Sequence, residues 1–205
     1  IIITGNIIRK EILDYRRKNI NKTKKNINIL VLGGSQAAKV FAEKLPTIFN
    51  DCKKNNIDVK IFQQCLPIQN DSLKKYYELN SIEYEIFNFN SHIIDIFKKI
   101  DLVITRSGAS ILAELLNCKI PFISIPLKFA ADNHQYINAK YFKEKGYNFL
   151  IEEGKIESNL FPLIKAIHKD KSILHKIVIK QKNHTDKKVF EKVENEIKRI
   201  IDEKH

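Results

Sequence analysis

Two short polar segments, each placed directly after an apolar run, have the composition of phosphate-binding turns. The first, at residues 33–36, is Gly-Gly-Ser-Gln, and the second, at residues 106–110, is Arg-Ser-Gly-Ala-Ser. Glycine lacks the Cβ that keeps a phosphate away from the backbone, and a helix that starts at such a turn directs free N–H groups at an anion. Either turn alone also fits a tight connection between a strand and a helix. Two of them in one sheet predict a site for a nucleotide diphosphate.

Three further polar residues could recognise the rest of a nucleotide sugar. Glu114 lies in the helical pattern after the second turn, where a carboxylate can accept both hydroxyls of a ribose. The same position suits a glutamate near a helix start. His134 and Gln135 open a later helical pattern and offer the neutral donors and acceptors used on sugar hydroxyls and acetamido groups. Asp132, just before them, fits a helix cap.

Several chemistries are disfavoured because their motifs are absent from the sequence. The first turn is neither a P-loop nor a Gly-x-Gly-x-x-Gly fingerprint, which disfavours ATP hydrolysis of the Walker type and ordinary NAD binding. We find no nucleophile triad, no His-Glu-x-x-His metal motif and no carboxylate pair typical of a glycosidase. The remaining histidines are isolated and are predicted to be surface or packing residues.

Composition limits the class of protein. The chain has 205 residues and a formal net charge of +12, which fits one large domain or a domain with an appendage. The charge suits a nucleic acid, an anionic membrane or a phosphorylated substrate, and equally a lysine-rich solvated surface. No aromatic RNA-binding signature occurs, which disfavours nucleic acid. Three cysteines without metal-ligand spacing favour a reducing compartment.

The apolar runs and the start of the chain lead to further predictions. No apolar run approaches the ~20 residues of a spanning helix, and the start does not resemble a signal peptide. The sequence contains no methionine and opens on three isoleucines, a composition typical of the interior of a folded unit. We therefore expect a fragment or an isolated domain whose upstream part is missing, with a processed N-terminus as the alternative.

The elements that must position these residues alternate regularly. Strands are predicted at 28–32, 59–63, 82–87, 102–105, 122–125 and 148–151, with helices at 37–49, 72–79, 92–99, 110–116 and 133–145. This alternation predicts an α/β fold with a parallel, doubly wound sheet, in which ligands bind beyond the carboxyl ends of the strands. A helix capped by Ser158 is predicted at 158–168, and an amphipathic helix at 185–202.

The predicted organisation has three parts. Residues 1–26 form an interdomain segment or linker, residues 27–170 a Rossmann-like domain that binds a nucleotide sugar, and residues 171–205 the C-terminal helices.

The ordered motifs resemble the C-terminal half of the MurG family. They are Thr-Gly-Asn-x-x-Arg ending at Arg9, Gly-Gly-Ser-Gln-x-Ala, Asp-x-Val-Ile-x-Arg-Ser-Gly-Ala, Ala-Glu-Leu, Pro-Phe-Ile-x-Ile-Pro and Asp-Asn-His-Gln-Tyr-x-Asn-Ala. The resemblance covers essentially the whole chain. It implies one Rossmann-like half of a GT-B glycosyltransferase of peptidoglycan synthesis. The implied reaction is inverting transfer of GlcNAc from UDP-GlcNAc to lipid I, which gives lipid II.

The resemblance also implies roles for individual residues. Arg9 and Ser35 would meet the donor diphosphate, together with the backbone of residues 109–111, and Glu114 would hold the ribose hydroxyls. The backbone at Asn90 would contact the uracil edge, and His134 and Gln135 would contact the GlcNAc hydroxyls. The whole implied substrate-binding set is Arg9, Gly34, Ser35, Gln36, Asn90, Ser107, Gly108, Ala109, Ser110, Ile111, Glu114, His134 and Gln135.

No catalytic residue is assigned, because the family's general base and lipid-acceptor site belong to the N-terminal half. The chain alone is expected to bind UDP-GlcNAc weakly and to transfer nothing. The implied partners are UDP-GlcNAc, lipid I through the missing half and an anionic inner membrane surface, with no nucleic acid. The implied location is peripheral, on the cytoplasmic face of the bacterial inner membrane. The sequence requires no cofactor or metal, and a divalent cation is compatible with it.

Four positions depart from the family pattern. Ala37 replaces a glycine, Ile7 and Ile8 replace Pro-Val, and Ile111 replaces a common threonine. A lost hydrogen bond at such a position costs ~1 kcal/mol. Ile111 and Ala37 favour a non-catalytic nucleotide-sugar-binding or interaction module, whereas the retained Arg9, Glu114 and Gln135 favour the transferase. A third alternative is another GT-B enzyme, such as a glycolipid glucosyltransferase or a UDP-GlcNAc 2-epimerase. An epimerase needs catalytic carboxylates and a catalytic histidine, and we cannot assign residues of this sequence to those roles.

Overall fold

The computed structural model describes residues 4–15, 26–127 and 131–202, and only the backbone of residues 35–38 and 131. The described residues form one six-stranded sheet with helices on both faces. Its strands are β1 Ile27–Leu32, β2 Val59–Gln64, β3 Glu83–Phe87, β4 Leu102–Thr105, β5 Phe122–Ser124 and β6 Phe149–Leu150. Its helices are α1 Lys10–Asp14, α2 Gly34–Lys54, α3 Asn70–Leu79, α4 Ile93–Phe97, α5 Ala109–Asn117, α6 His134–Glu144, α7 Ile156–Lys169, α8 Ser172–Lys182 and α9 Val189–Asp202.

The sheet is parallel throughout, with strand order β3-β2-β1-β4-β5-β6. The predicted doubly wound α/β fold is confirmed. The strand order reverses between β1 and β4, and the register pairs Leu32 with Thr105, so both strands end at the same level. In sheets of this order, the crevice beyond that point is where ligands bind. Both glycine turns follow these two strands directly.

The core has two layers, one on each face of the sheet. Along β1, Ile29 and Val31 pack into one cluster with helices α2, α3 and α7, while Leu30 packs into the other with α4 and α5. Successive side chains of a strand point to opposite faces, so a strand buried on both faces is apolar throughout. This explains why the central strands β1 and β4 were recognisable as apolar runs, whereas the edge strand β3 has exposed glutamates among its apolar residues.

Several helix starts were predicted wrongly, and α2 begins at Gly34 rather than at 37. Ser158 is not an N-cap, because the 3-10 turn Glu153–Lys155 leads directly into α7 at Ile156. The Ser158 hydroxyl instead donates to the carbonyl of Lys155, at 3.2 Å. The last helix begins at Val189 rather than at 185, because the backbone N–H and the carboxylate of Asp186 are both bonded to Asn117. Helix α2 also runs past its predicted end, to Lys54.

Residues 4–15 form an N-terminal strap that packs on the sheet domain. Ile8 and Ile12 are buried in the same cluster as α4 and α5. The hydroxyl of Tyr15 donates to the carbonyl of Phe97 at 3.0 Å, which holds the far end of the strap. The domain boundaries at residues 26 and 170 stay predictions. The packing nevertheless places the strap, and with it Arg9, at a defined position beside α5.

The near end of the strap is held by Asp186. This carboxylate accepts hydrogen bonds from the backbone N–H of Asn6 (3.3 Å) and from the side chain of Asn117 at the end of α5 (2.7 Å). Gly5 has φ +109°, and a Cβ there would lie 2.6 Å from Oδ1 of Asp186 and 2.7 Å from Val189. Only glycine therefore allows the strap to approach this closely. The strap and α5 thus share one anchor.

The Asp186 anchor predicts a pH-dependent stability. Burial raises the pKa of Asp186, but hydrogen bonds from Asn117, His184 and Asn6 outweigh burial and leave the pKa below its usual value of 3.8. A lowered pKa in the folded state stabilises the protein above the unfolded-state pKa, and this contribution disappears as the pH falls through the folded-state value. Asp186→Asn is expected to lower the free energy of unfolding by ~1–3 kcal/mol at pH 7.

Urea denaturation at a series of pH values measures this effect. The difference between the wild type and Asp186→Asn should shrink below about pH 4. Asp51→Asn, a change at an exposed position of α2, is the matched control and should shift stability by less than ~0.5 kcal/mol. A difference for Asp186→Asn that stays constant down to acid pH would contradict the assignment.

Candidate functional site: a pocket at the carboxyl edge of the sheet

A pocket of about 500 Å³ opens beyond the ends of β1 and β4. Leu32 and Thr105, the last residues of these strands, form its floor, and Gly33, Gly34 and Gly108 line it from the two turns. The size is within the usual range for a small-molecule site. The pocket therefore lies where the topology of the sheet places ligands.

Each turn presents the N-terminus of a helix to this pocket. Gly34 begins α2 with φ +65°, a conformation that side-chain-bearing residues seldom adopt. Gly108 precedes the first residue of α5, and no side chain caps that helix. The first N–H groups of a helix have no intrahelical partner, and the helix dipole adds a partial positive charge. These backbone groups can bind an anion.

Arg9 and Glu114 face each other across one side of the pocket. Nε of Arg9 donates to Oε1 of Glu114 at 2.9 Å, and Nη2 donates to Oε2 at 3.1 Å, so the pair is bidentate. Nη1 of Arg9 donates to Glu11 at 2.7 Å. The hydrogen bond with Glu114 is the main reason that the pKa of Arg9 is raised. A permanent cation and a carboxylate therefore lie side by side at the site.

Gln135, at the start of α6, ties that helix to the second turn. Its Oε1 accepts from the backbone N–H groups of Ser107 (3.2 Å) and Leu127 (3.1 Å). One turn further along α6, the side chain of Asn138 donates to the carbonyl of Ser107 at 3.1 Å. The amide of Gln135 still carries N–H donors, and the residue lines the pocket. It can therefore hold the turn and offer donors to a sugar.

Arg106, directly after β4, is a buried cation that lines the pocket. It is 6% exposed, its Nη1 donates to the carbonyls of Ile125 and Pro126 (3.3 Å each) and lies 2.5 Å from Oε2 of Glu153. Its guanidinium lies 4.7 Å from the centre of the Phe41 ring. Within the described residues, its Nε and Nη2 atoms have no hydrogen-bond partner. Arg106 thus joins the loop after β5, the turn before α7 and helix α2, and adds positive charge beside the glycine turns.

The opposite end of the pocket is apolar. Phe87, Phe89 and Ile93 line it, and Phe89 is 82% exposed. Asn90 lies beside them, and its Oδ1 accepts from the backbone N–H of His92 at 2.7 Å. An exposed aromatic ring at the rim of a pocket offers a stacking surface for a planar group. The pocket therefore has an apolar end and a cationic end.

Most of the sequence-predicted site residues meet in this pocket. Those that line it are Arg9, Gly34, Asn90, Gly108, Ile111, Glu114 and Gln135. Ser107 is buried behind the turn, Ala109 and Ser110 are exposed at the start of α5, and His134 is exposed at the start of α6; none of these four is a lining residue. Ser35 and Gln36 lie in the first turn of α2, and their side chains lie outside the described part of the structure. The binding roles of all these residues stay predictions.

Three residues that matter to the geometry were not predicted as site residues. Arg106 was recognised only as part of a motif, although a charged residue at the end of a buried strand is itself a signal. Phe89 was recognisable as an aromatic residue just after a strand, at the edge where ligands bind. Asn138 gave no comparable signal, because its role depends on the tertiary position of α6.

The described residues contain no group of three or more His, Cys, Asp or Glu side chains arranged to hold a metal ion. In the same part of the chain, no helix combines the length and the apolar character needed to cross a bilayer.

Comparison with known proteins defines the class of protein. Residues 28–200 match the model of the glycosyltransferase family 28 C-terminal domain. This match spans most of the chain, and the chain belongs to that family. The family members it resembles are the MurG proteins, as the sequence motifs predicted. A Pelagibacter ubique protein named UDP-N-acetylglucosamine--N-acetylmuramyl-(pentapeptide) pyrophosphoryl-undecaprenol N-acetylglucosamine transferase is 39% identical over 174 residues, which are 84% of this chain and 48% of that protein.

Other relatives extend the comparison. A Francisella philomiragia protein of the same name is 31% identical over 98% of this chain and 56% of its own length. The chain therefore spans about half the length of the curated relatives that it matches. The crystal structure of Acinetobacter baumannii MurG shares the fold, with a TM-score of 0.77 at 22% identity over 92% of this chain and 55% of that chain. A putative UDP-N-acetylglucosamine 2-epimerase from Listeria monocytogenes also shares it, with a TM-score of 0.67 at 14% identity over 98% of this chain and 53% of that chain.

Proposed function

We propose that this chain is the donor-binding half of an inverting N-acetylglucosaminyltransferase that transfers GlcNAc from UDP-GlcNAc to lipid I to make lipid II. The observation that carries this proposal is the pocket between β1 and β4. There, the family's two glycine turns, Arg9, Glu114 and Gln135 meet around one cavity. The names of the sequence relatives support the donor and acceptor.

The two ends of the pocket suggest how UDP-GlcNAc binds. The uracil lies at the apolar end beside Phe89, and the ribose lies within reach of the Glu114 carboxylate. The diphosphate lies against the starts of α2 and α5, next to Arg9. The GlcNAc then extends toward Gln135. This order matches the linear order of base, ribose, diphosphate and sugar in the ligand.

The residues present here would act on the leaving group. Inverting transfer breaks the bond between the anomeric carbon and the diphosphate, and negative charge develops on UDP. The helix N-termini with their free N–H groups line that position, and the Nη1 end of Arg9, now bonded to the exposed Glu11, can turn to it, so these groups can stabilise the charge. Deprotonation of the attacking hydroxyl needs a general base. We propose that the base and the lipid I site lie in the part of the relatives that this chain does not match.

The acceptor also suggests where the protein works. An undecaprenol-linked acceptor is held in a membrane, so the enzyme has to approach the bilayer surface. The net charge of +12 suits an anionic surface. We propose peripheral association with the cytoplasmic face of the inner membrane.

Calorimetric titration tests the donor proposal. The purified chain is titrated with UDP-GlcNAc, with UDP and UDP-glucose in parallel. We expect UDP-GlcNAc and UDP to bind, and UDP-glucose to bind no more tightly than UDP-GlcNAc. A folded chain that binds neither UDP nor UDP-GlcNAc would favour the alternative of a degenerate module in which Ile111 and Ala37 have removed the site.

A transfer assay tests the proposal that this chain binds the donor and that the general base and the lipid I site lie in another part of the protein. The chain alone, supplied with UDP-GlcNAc and lipid I, is expected to form no lipid II. Activity should appear when the N-terminal half of a relative is supplied. Turnover by the chain alone would mean that the base and acceptor site are present here.

Phe89 is expected to stack on the uracil. Because base–aromatic stacking contributes ~1–3 kcal/mol, Phe89→Ala should weaken UDP binding by roughly five- to a hundredfold. Ile68→Ala is the matched control, since Ile68 is 90% exposed and does not line the pocket. Equal UDP affinities for both variants, measured by calorimetry, would place the base elsewhere.

A further inference from the structure

We propose that Arg9 is a positioning residue for ribose recognition as well as a ligand of the diphosphate, because its side chain holds the Glu114 carboxylate in place. This inference rests on the proposed function and extends it. If Arg9 contacted only the diphosphate, its removal would not affect a ligand without phosphates. The geometry points to the opposite result.

Arg9 uses different N–H donors for its two carboxylate partners, Glu114 and Glu11. Its Nε and Nη2 form one edge of the guanidinium, and this edge makes both bonds to Glu114 (2.9 and 3.1 Å). Its Nη1 contacts Glu11 instead (2.7 Å). A guanidinium has five N–H donors in a rigid plane, so it can bind different oxygens along two edges at once. Arg9 can keep Glu114 on one edge while its other end turns to a phosphate oxygen.

The two carboxylates that Arg9 contacts differ in how exposed they are to solvent. The Glu114 side chain is 16% exposed, whereas that of Glu11 is 52% exposed. An exposed ion pair is weak and easily exchanged, so a diphosphate can replace Glu11 at little cost. Leaving a mostly buried carboxylate without its hydrogen-bond partner costs much more free energy. The Arg9–Glu114 bonds are therefore the ones expected to persist when the ligand binds.

The segments that carry Arg9 and Glu114 are held by one common anchor, Asp186. The strap that carries Arg9 and the end of the α5 helix that carries Glu114 both bond to Asp186. The strap also lies outside the region that the family model matches, which begins at residue 28. A bidentate pair fixes the plane of the carboxylate, and each oxygen retains a lone pair for a hydroxyl of the ribose. The strap thus contributes to the ribose subsite indirectly, because its Arg9 orients the Glu114 carboxylate that binds the ribose.

Nuclear magnetic resonance titration with three probes tests this inference: UDP, uridine (which has no phosphate) and inorganic pyrophosphate. Arg9→Met and Glu114→Gln should each weaken uridine binding by at least about tenfold. The double variant should be no weaker than the weaker single variant, because both changes remove the same arrangement. Glu11→Gln, the matched control on the other edge of Arg9, should leave uridine affinity unchanged. Pyrophosphate affinity should fall in Arg9→Met and not in Glu114→Gln.

A second measurement uses the wild type alone and does not depend on any variant folding. Uridine should shift the Nε–H resonance of Arg9, because the ribose binds to the carboxylate that this group contacts. Uridine affinity that is unchanged in Arg9→Met, additive losses in the double variant, or an unmoved Nε–H resonance would each overturn the inference and leave the proposed function intact. Failure of the wild type to bind UDP would overturn both.

Discussion

Glu114→Ala is expected to weaken binding of UDP and UDP-GlcNAc by at least about a hundredfold. A carboxylate that accepts two hydroxyls forms charge-assisted hydrogen bonds, each worth ~1.5–3 kcal/mol, and alanine removes both. The substitution also leaves Arg9 without the partner that fixes it. Calorimetry on the folded variant measures the loss.

Glu144→Ala provides the control for this prediction. Glu144 is an exposed carboxylate at the end of α6 that pairs with Lys140 at 3.9 Å and does not line the pocket. It removes the same charge from the protein, so any long-range electrostatic effect on an anionic ligand appears in both variants. A Glu114→Ala affinity equal to that of Glu144→Ala would remove Glu114 from the site.

Arg106→Met is expected to lower the free energy of unfolding by ~3–5 kcal/mol, the second large effect. Methionine fills similar space but cannot donate to the carbonyls of Ile125 and Pro126, and it leaves Glu153 without its cation. Breaking a buried ion pair by removing one partner is costly because the other charge stays buried. Urea denaturation followed by circular dichroism measures the change.

The matched variant is Arg199→Met. Arg199 is 58% exposed on α9 and pairs with Glu196 at 3.2 Å, so its loss should change stability by no more than ~0.5 kcal/mol. Because Arg106 joins three segments around the pocket, UDP affinity should also fall in Arg106→Met. Similar stability of the two variants would show that the buried pair contributes little.

The sheet was predictable because its central strands are buried on both faces. Short apolar runs such as residues 29–32 of β1, separated by helical stretches, left one main architecture, and the parallel arrangement of the strands follows from it. The glycine turns were predictable for the same reason, since they follow the strands immediately. Local sequence therefore located the edge of the sheet where the pocket lies and two of the residues that line it from these turns, Gly34 and Gly108, but not Arg106.

The contacts between distant segments were not predictable in this way. The sequence separates Arg9 from Glu114 by 105 positions, and the resemblance assigned them to different parts of the ligand without indicating that they touch. The start of α9 was misplaced because Asp186 bonds to Asn117 and to the strap, both remote in sequence. Such contacts depend on how the strap packs against α4 and α5, which no local pattern specifies.

Departures from the family pattern lie at the pocket and in the strap that carries Arg9. Ile111 lines the pocket and replaces a hydroxyl beside the expected diphosphate. Ile8 is buried in the strap, so the apolar pair at residues 7 and 8 contributes one core residue in place of the rigid backbone of a proline. These changes act on the cationic end of the pocket, where Arg9 and the helix N-termini remain.

The measurement that tests the account most directly is a crystal structure of the chain with UDP-GlcNAc. The account predicts the uracil against Phe89, the ribose hydroxyls on Glu114 with Arg9 still bonded to it, and the diphosphate at the starts of α2 and α5. The GlcNAc should lie beside Gln135. A nucleotide bound outside the pocket between β1 and β4, or bound there with its ribose away from Glu114, would contradict it.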